Sequence, residues 1–437
     1  MGAGSSKPRG GSKRVVRDRM WEAHKGGVCC ASVSDDGELL LTGGEDARAA
    51  LWSTRTLAAL AVLEGHEAYV TDCALAPDTS RAFTCSADFA VRVWQIDGGG
   101  GGALSVSCAH VLHGHTARVN RLLVHAGRSV YSTSADRTVR RWDAADGSCL
   151  AVCEGHTGNV LPLALYLPEG GPDNADEVPG QAVLAAGSMD GTVRLWDETG
   201  TALHCLEGHA GPVLCLAVLQ NRAALFSGSA DGTVRRWDVL TGEAVSEFIE
   251  NLGSVICMQV AGRYLYAGGK DGIARRWETR SQICARSYQA HTRAVSALVV
   301  HRNVLFTGSG DGSACSYNAQ TGEVMRTFKG HNHIVNCMKV AGDTLFTGSQ
   351  DGSMRAWSLQ RVFADAQDKQ ADQNNDVADQ SENNPDEGKV VDEVNELKED
   401  GENAENVSGD VADKSERTPE EKDADEVNES KEDNTNN

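Results

Sequence analysis

Several features that would place this chain in a common functional class are missing from it. No apolar run approaches the roughly 20 residues of a membrane-spanning helix, and we expect no secretory signal. The thirteen cysteines include no Cys-x-x-Cys pair and no Cys/His spacing suited to zinc. No phosphate-binding loop, carboxylate pair or nucleophile–base set stands out. The sequence therefore predicts neither a transmembrane protein nor an enzyme, and it predicts no cofactor or metal site.

Charge is distributed unevenly along the chain. Residues 1–360 have a net charge of −3 and residues 361–437 one of −18. The nearly neutral body gives no general electrostatic reason to bind nucleic acid, so we expect no such partner. The segment 363–437 is acidic, with no aromatic residue after Phe363, and this composition predicts disorder. Within this segment, residues 392–400 recur with one change as residues 425–433. The segment is interpreted as a solubilising tail, or the two copies as two short motifs that bind partners.

A repeated pattern organises the body of the chain. In the stretch 227–238, a turn at Asp231-Gly232 joins two predicted strands, and the second strand ends at Trp237. Eight copies, 40 to 54 residues apart, have an Asp followed six residues later by a large aromatic residue. Such fixed spacing predicts a repeat protein. The eight pairs are Asp46/Trp52, Asp88/Trp94, Asp136/Trp142, Asp190/Trp196, Asp231/Trp237, Asp271/Trp277, Asp311/Tyr317 and Asp351/Trp357.

A histidine precedes seven of the eight Asp turns. Six of the histidines stand 20 to 22 residues before the Asp, and the seventh stands 34 before it because a loop intervenes. Unit six has Asn251 in this place. Each unit also contains four short runs with period-two patterning, which predict four antiparallel strands, a to d. The d–a and b–c loops then lie at one end of the unit, so that His and Asp can meet. The histidines are His24, His66, His115, His156, His209, His291 and His331.

Gly-His and Trp-Asp marks at a period near 40 resemble the WD-repeat family, whose units are four-stranded propeller blades. The resemblance covers about residues 14–358. It implies that each His, Asp and strand-c aromatic shares a hydrogen-bond network with a Ser or Thr of strand b. Candidate hydroxyls lie four and two residues before the Asp, as at Ser227 and Ser229, and the sequence does not separate them.

The number of blades depends on the N-terminal strand. Residues 15–21 precede His24 as other d strands precede their histidines, yet no a–b–c set comes before them. If this strand completes the last blade, the ring has no open edge. We therefore predict an all-β, eight-bladed WD-repeat propeller over residues 14–362. The alternative is seven blades plus an edge unit.

The N-terminal segment 1–13 fits the pattern for N-myristoylation. Gly2 is followed by small residues and Ser6, and then by a basic cluster that includes Lys7 and Arg9. One fatty acyl chain binds membranes only marginally, so basic residues near an anionic surface are a usual second signal. The alternative is an ordinary flexible terminus. We expect a cytoplasmic protein, peripherally attached to membranes if Gly2 is acylated.

Two functions follow from these patterns. The first is a non-catalytic scaffold, a monomer that holds unidentified proteins on the propeller faces. The second is a substrate receptor of a cullin-type ubiquitin ligase. Residues 277–280 resemble the Trp-Asp-x-Arg element of such receptors, in which Arg280 would contact the adaptor. The match departs from the element at Glu278.

Strand c carries a further pattern of arginines. Six of the eight units have an Arg two residues before the aromatic, and we expect its stem to pack between blades. Arg141, Arg236 and Arg276 stand one residue before the Trp, where an anion-binding patch is a second interpretation. Two insertions, 98–102 and 168–180, are predicted to be surface loops.

Overall fold

The protein is described by a computed structural model, which describes residues 18–98, 104–168, 182–249 and 253–363. The described chain forms eight antiparallel sheets of four strands each. The predicted eight-bladed propeller is thus confirmed, and the alternative of seven blades plus an edge unit is wrong. Most of both insertions, and all of the predicted tail after Phe363, lie outside the described residues.

The first strand of the chain, β1 (Arg19–Glu22), belongs to the last blade, and the other strands follow in order. Blades one to four contain β2 (Val28–Val33), β3 (Leu39–Gly44), β4 (Ala49–Ser53) and β5 (Ala59–Leu63); β6 (Val70–Leu75), β7 (Arg81–Ser86), β8 (Val91–Asp97) and β9 (Ser105–Leu112); β10 (Val119–His125), β11 (Ser129–Ser134), β12 (Val139–Asp143) and β13 (Cys149–Cys153); and β14 (Val160–Tyr166), β15 (Val183–Ser188), β16 (Val193–Trp196) and β17 (Ala202–Leu206).

Blades five to eight continue the same pattern, with one 3-10 turn, Gln220–Arg222, between the first two strands of blade five. Their strands are β18 (Val213–Leu219), β19 (Ala224–Ser229), β20 (Thr233–Asp238) and β21 (Ala244–Ile249); β22 (Val255–Ala261), β23 (Tyr264–Gly269), β24 (Ile273–Glu278) and β25 (Cys284–Gln289); β26 (Val295–His301), β27 (Val304–Ser309), β28 (Ser313–Asn318) and β29 (Val324–Lys329); and β30 (Val335–Ala341), β31 (Thr344–Ser349) and β32 (Ser353–Ser358).

The N-terminal strand closes the ring. β1 pairs antiparallel with β32, with Arg19 opposite Ala356 and Glu22 opposite Ser353. Asp18 does not belong to the strand, and residues 15–17 of the predicted strand lie outside the described residues. Its Trp21 packs at the seam between the last and the first blade, with its ring 5.7 Å from that of Trp52.

The core lies between neighbouring blades. The cluster between blades four and five, for example, joins Val193 and Leu195 to Val213, Leu225 and Trp237, all nearly inaccessible to solvent. The first strand of each blade contacts the first strands of both neighbours, and the contact of β2 with β30 completes the circle. All thirteen cysteines are free.

A β-bulge recurs near the start of every first strand. In blade one the pairing with the second strand skips from Val28 to Cys30, and the equivalent skip occurs in all eight blades. A bulged residue has no ladder partner, so its side chain is re-aimed. The residues left without a ladder partner are Cys29, Thr71, Asn120, Leu161 with Pro162, Leu214, Ile256, Ser296 and Asn336.

Candidate functional site

The predicted His, Asp and aromatic residues meet in hydrogen-bonded networks at one face of the ring, here called the upper face. In blade five, His209 Nδ1 lies 3.0 Å from Asp231 Oδ2, and His209 Nε2 lies 2.7 Å from Ser227 Oγ. Trp237 Nε1 donates to the same Ser227 oxygen at 2.8 Å. Four other blades have this arrangement: His24, Asp46, Thr42 and Trp52; His66, Asp88, Thr84 and Trp94; His115, Asp136, Ser132 and Trp142; and His331, Asp351, Thr347 and Trp357.

The two candidate hydroxyls of strand b have different partners. The one four residues before the Asp, Ser227, bridges His209 and Trp237. The one two residues before it, Ser229, donates to the Gly211 carbonyl at 3.0 Å and accepts from the Asp231 amide at 3.1 Å. The structure thus separates what the sequence left open: one hydroxyl joins the network and the other fixes the Asp turn.

Blade four lacks the bridging hydroxyl. Ala186 occupies its position, so His156 Nε2 lies 3.3 Å from the Ala186 carbonyl oxygen. Trp196 Nε1 instead donates to the Glu154 carbonyl at 3.3 Å. The pairing of His156 Nδ1 with Asp190 is kept at 2.9 Å.

Blades six and seven depart in other ways. Asn251 of blade six lies outside the described residues, and Asp271 there binds the Arg275 guanidinium at 2.7 Å. In the same blade, Trp277 is buried. In blade seven, His291 keeps its contacts with Asp311 at 3.2 Å and with a Thr hydroxyl at 2.7 Å. The fully buried Tyr317 takes the tryptophan position.

The hydrogen bonds assign a neutral imidazole to the network. The carboxylate only accepts, so His209 Nδ1 donates to Asp231. Trp237 only donates, so Ser227 accepts from it and can give its own proton to His209 Nε2. Burial lowers the pKa of His209 more than the nearby Asp231 raises it. The same balance lowers the pKa of His24, His156, His291 and His331.

The aspartates stay ionised. Burial alone would raise the pKa of Asp88, but hydrogen bonds from His66 and from the amides of Ala90 and Glu67 outweigh it and lower the pKa to about 2. The pKa of Asp351 is about 2 for the same kind of reason. A neutral histidine bound to a carboxylate and a hydroxyl has no free position for acid–base chemistry, so the network acts as a brace between two loops.

These pKa shifts predict that acid destabilises the fold, starting near neutrality. Five histidines protonate below 6.5 in the folded protein, while those of the unfolded chain protonate near 6.5. The unfolded state therefore binds more protons as the pH falls from 7 to 5, and the free energy of unfolding decreases by up to about 1.4 kcal/mol per pH unit for each extra proton. Aspartates with lowered pKa act in the same direction below about pH 4.

Urea unfolding at several pH values measures this slope. A His209→Asn variant should show a shallower slope between pH 7 and 5, because one of the titrating groups is gone. Rising stability from pH 7 to 5.5 would contradict a neutral histidine in the network.

Arginines of strand c cap the loop that carries the histidine. Arg92 Nη2 donates to the Gly65 carbonyl at 2.7 Å, and Arg355 Nη2 to the Gly330 carbonyl at 2.7 Å. Gly65 has φ +147°, and a Cβ there would lie 3.0 Å from the Arg92 guanidinium. Glycine before the histidine therefore accompanies arginine in strand c. Blades one and seven, which have Ala before the histidine, have the small residues Ala50 and Cys315 in strand c instead.

The second arginine set links neighbouring blades rather than forming an open anion site. Arg141 contacts Glu198 of the next blade through both its carbonyl, at 2.8 Å, and its carboxylate, at 3.1 Å. Arg236 donates to the Thr279 carbonyl at 3.2 Å. Arg276 donates to the Ala319 carbonyl, again one blade further on.

Two predicted functional residues, Arg280 and Gly2, do not belong to the predicted hydrogen-bonded networks. Arg280 is exposed in the loop between β24 and β25, on the face opposite the His and Asp turns. Gly2 lies outside the described residues, so its acylation stays a prediction. Over the described ranges, no three His, Cys, Asp or Glu side chains are grouped to hold a metal, and no helix there is long and apolar enough to span a membrane.

Residues 16–53, 58–95, 106–143, 147–197, 200–238 and 322–358 match the family described as WD domain, G-beta repeat, and together they make up more than half of the chain. The chain belongs to this WD40 family. The unmatched span 239–321 contains blade six and three strands of blade seven. In blade six Asn251 stands in the place of the histidine, and in blade seven Tyr317 stands in the place of the tryptophan.

Relatives of the chain share part of the propeller sequence. It is 29% identical over 203 residues to pre-mRNA-processing factor 19 homolog 2 of Arabidopsis thaliana, covering 46% of this chain and 36% of that protein. It is 30% identical over 196 residues to the CCR4-associated factor 4 homolog of Candida glabrata, covering 41% and 33%. It is 28% identical over 202 residues to autophagy-related protein 16 of Arabidopsis thaliana, covering 46% and 36%. The alignments span about a third of the length of these relatives.

Two solved structures resemble the whole propeller. The computationally designed protein Ika8 matches 77% of this chain and 98% of its own, with a TM-score of 0.66 and 26% identity. Sqt1 of Saccharomyces cerevisiae matches 78% of this chain and 97% of its own, with a TM-score of 0.69 and 19% identity, and this likeness concerns the fold alone.

Proposed function

We propose that the chain is a monomeric, non-catalytic scaffold that holds other proteins on the faces of its propeller, in the cytoplasm and at membrane surfaces through an N-myristoylated Gly2. The proposal rests on the structural role of the histidines and aspartates in the turns. The His and Asp side chains that have the chemistry of an active site are hydrogen-bonded to each other and to the frame in seven blades. The rigid ring then leaves exposed loops for binding.

The relatives support a general binding role rather than one process. Their names refer to pre-mRNA processing, association with CCR4 and autophagy. A fold that serves such different proteins indicates binding by surface residues, with the frame held in common. Residues 290–357 also resemble the animal protein WD repeat-containing protein 86, for example at 305–311 and 319–323, and we propose a relationship to it.

The proposed attachment to membranes depends on the fatty acyl chain at Gly2 and on the basic residues near it. A single myristoyl chain binds bilayers reversibly, with an association constant on the order of 10⁴ M⁻¹. Each Lys or Arg near an anionic leaflet adds about 1 kcal/mol, screened by salt. Lys7, Arg9 and Lys13 are the nearest cations to Gly2 outside the propeller strands.

We expect Gly2→Ala to move the protein from the membrane fraction to the cytosol. Replacing Lys7, Arg9 and Lys13 together by Ala should weaken membrane binding and reduce its dependence on salt. Proximity labelling in cells, with wild type and Gly2→Ala compared, then identifies partners and shows which depend on the membrane. Mass spectrometry of the mature N-terminus tests the premise, since a Gly2 without a fatty acyl group ends the lipidation proposal while leaving the scaffold proposal intact.

The ligase-receptor alternative rests on the exposed Arg280 after Thr279 in blade six. Its sequence element departs from the Trp-Asp-x-Arg pattern at Glu278, whose carboxylate accepts from Ser281 Oγ at 3.1 Å. The labelling experiment separates the two functions, because a cullin adaptor among the labelled proteins would favour the receptor.

A further inference from the structure

A recess at the upper mouth of the ring brings together bulged residues of the first strands. It has a volume of about 300 Å³ and lies between blades one to five. Thr71 and Asn120 contribute polar groups from blades two and three, and Leu161 and Leu214 contribute apolar side chains from blades four and five. One wall is therefore polar and the other apolar.

The polar wall holds an arginine in a fixed orientation. Arg118 Nε donates to Asn120 Oδ1 at 2.9 Å, and Arg118 Nη1 donates to the Tyr69 hydroxyl at 3.0 Å. Asn120 is only 8% exposed and is held in turn, since its Nδ2 donates to Asn159 Oδ1 and to the Val160 carbonyl, both at 2.6 Å. These contacts hold the guanidinium in place before a ligand binds. Little conformational entropy of the Arg118 side chain is then lost on binding.

No acidic side chain neutralises this arginine within the described part of the chain. Its two bonded neighbours are uncharged, and the described aspartates of blades two and three on this face, Asp88 and Asp136, are bound to their histidines. Arg121 adds a second cation to the recess. Asp72, deeper in the ring beside Arg121, accepts from the Leu122 amide at 3.2 Å.

Blade two carries two exposed aromatic side chains, one of which, Tyr69, lines the recess. Tyr69 is 37% exposed, and the Asp turn that bonds to its carbonyl through Ala87 also carries Phe89, which is 45% exposed. Phe89 has φ +74°, in a position where blades four to eight have glycine. Blades one and three have Ala47 and Arg137 there, also with positive φ, so the exposed aromatic side chain is what distinguishes this turn in blade two.

We propose that this recess binds an acidic, apolar linear segment of a partner protein. A carboxylate of the segment pairs with the Arg118 guanidinium, the strong charge-assisted contact that arginine forms with carboxylates. An apolar side chain next to it packs on Leu161 and Leu214, and Tyr69 and Phe89 cover the flanking backbone. The proposal deepens the scaffold function above and rests on it, because it names the face and the chemistry of the partner.

Selection of peptides on the purified full-length protein tests the site directly. A phage-displayed library of random decapeptides should be enriched in Asp or Glu next to Leu, Ile or Phe on wild type, and not on Arg118→Gln. A selected peptide, labelled with fluorescein, should bind Arg118→Gln about tenfold more weakly by anisotropy, and high salt should weaken its binding to wild type.

Arg137→Gln is the matched control. It removes the same charge from the Asp turn of blade three, outside the recess, and should leave peptide binding unchanged. Equal melting midpoints would show that both variants are folded. Peptides without acidic enrichment, or acidic peptides that bind Arg118→Gln as well as wild type, would overturn this site alone. If labelling in cells also finds no partner, the scaffold function fails with it.

Discussion

Deletion of residues 1–22 is expected to destabilise the propeller by several kcal/mol and to make it associate. The deletion removes β1, so the outer edge of β32 loses its pairing partner. It also removes Trp21, which packs against Trp52 and Phe346 at the seam between the last and first blades. Loss of a fully buried large aromatic costs about 3–5 kcal/mol, so the half-buried Trp21 contributes part of that amount and the lost pairing with β32 adds to it. An open edge strand then pairs readily with another chain.

The matched control is deletion of residues 1–17, which retains β1. It keeps Asp18, whose carboxylate binds Arg326 at 2.6 Å and accepts from the Ser358 amide at 3.2 Å. Light scattering after size exclusion and urea unfolding should show a stable monomer for the shorter deletion only. If the longer deletion is too unstable to purify, Trp21→Ala tests the seam in the complete chain. A monomer of unchanged stability after removal of 1–22 would mean that closure by β1 contributes nothing.

Features that local geometry alone determines could be predicted from the sequence. The interval of six residues from Asp231 to Trp237 is the length of a turn plus a strand. It depends on no distant contact, so the sequence alone predicts these two elements. Closure could also be predicted, because a surplus d strand at one end of the chain matches a missing one at the other. The register could not, since nothing in the sequence of residues 19–22 specifies that Arg19 lies opposite Ala356.

Features that depend on packing between strands were not predictable in the same way. Ser227 and Ser229 lie on the same face of β19, because side chains two apart in a strand point to the same side. Only their distances from His209 show which one bridges. The recess depends on the bulge at Asn120, which a pattern of period two does not reveal. The arginine pattern of strand c was visible in the sequence, but its link to the glycine before the histidine was not, because that link is a contact between the Gly65 carbonyl and the Arg92 guanidinium.

Asp231 accepts several of the hydrogen bonds that hold the network of blade five together. Asp231→Ala should destabilise the protein by about 1–3 kcal/mol, the cost of leaving buried hydrogen-bonding groups without partners. His209 Nδ1 loses its acceptor, and so do the Ala210 amide at 2.9 Å and the Thr233 amide at 2.8 Å. The lowered pKa of Asp231 indicates the same, because its hydrogen bonds favour the ionised carboxylate in spite of burial.

A double-mutant cycle separates the His–Asp contact from other effects of the substitution. Asp231→Ala, His209→Ala and the double variant are compared by urea unfolding at pH 7.5, where the histidine is neutral. We expect a coupling energy of about 0.5–3 kcal/mol, as found for residues in one hydrogen-bond network. Asp231→Asn keeps an acceptor without the charge, so it should cost less than Asp231→Ala. If the two single effects simply add, the His–Asp contact does not brace the loops, and the repeated pattern must be explained by the Asp turn alone.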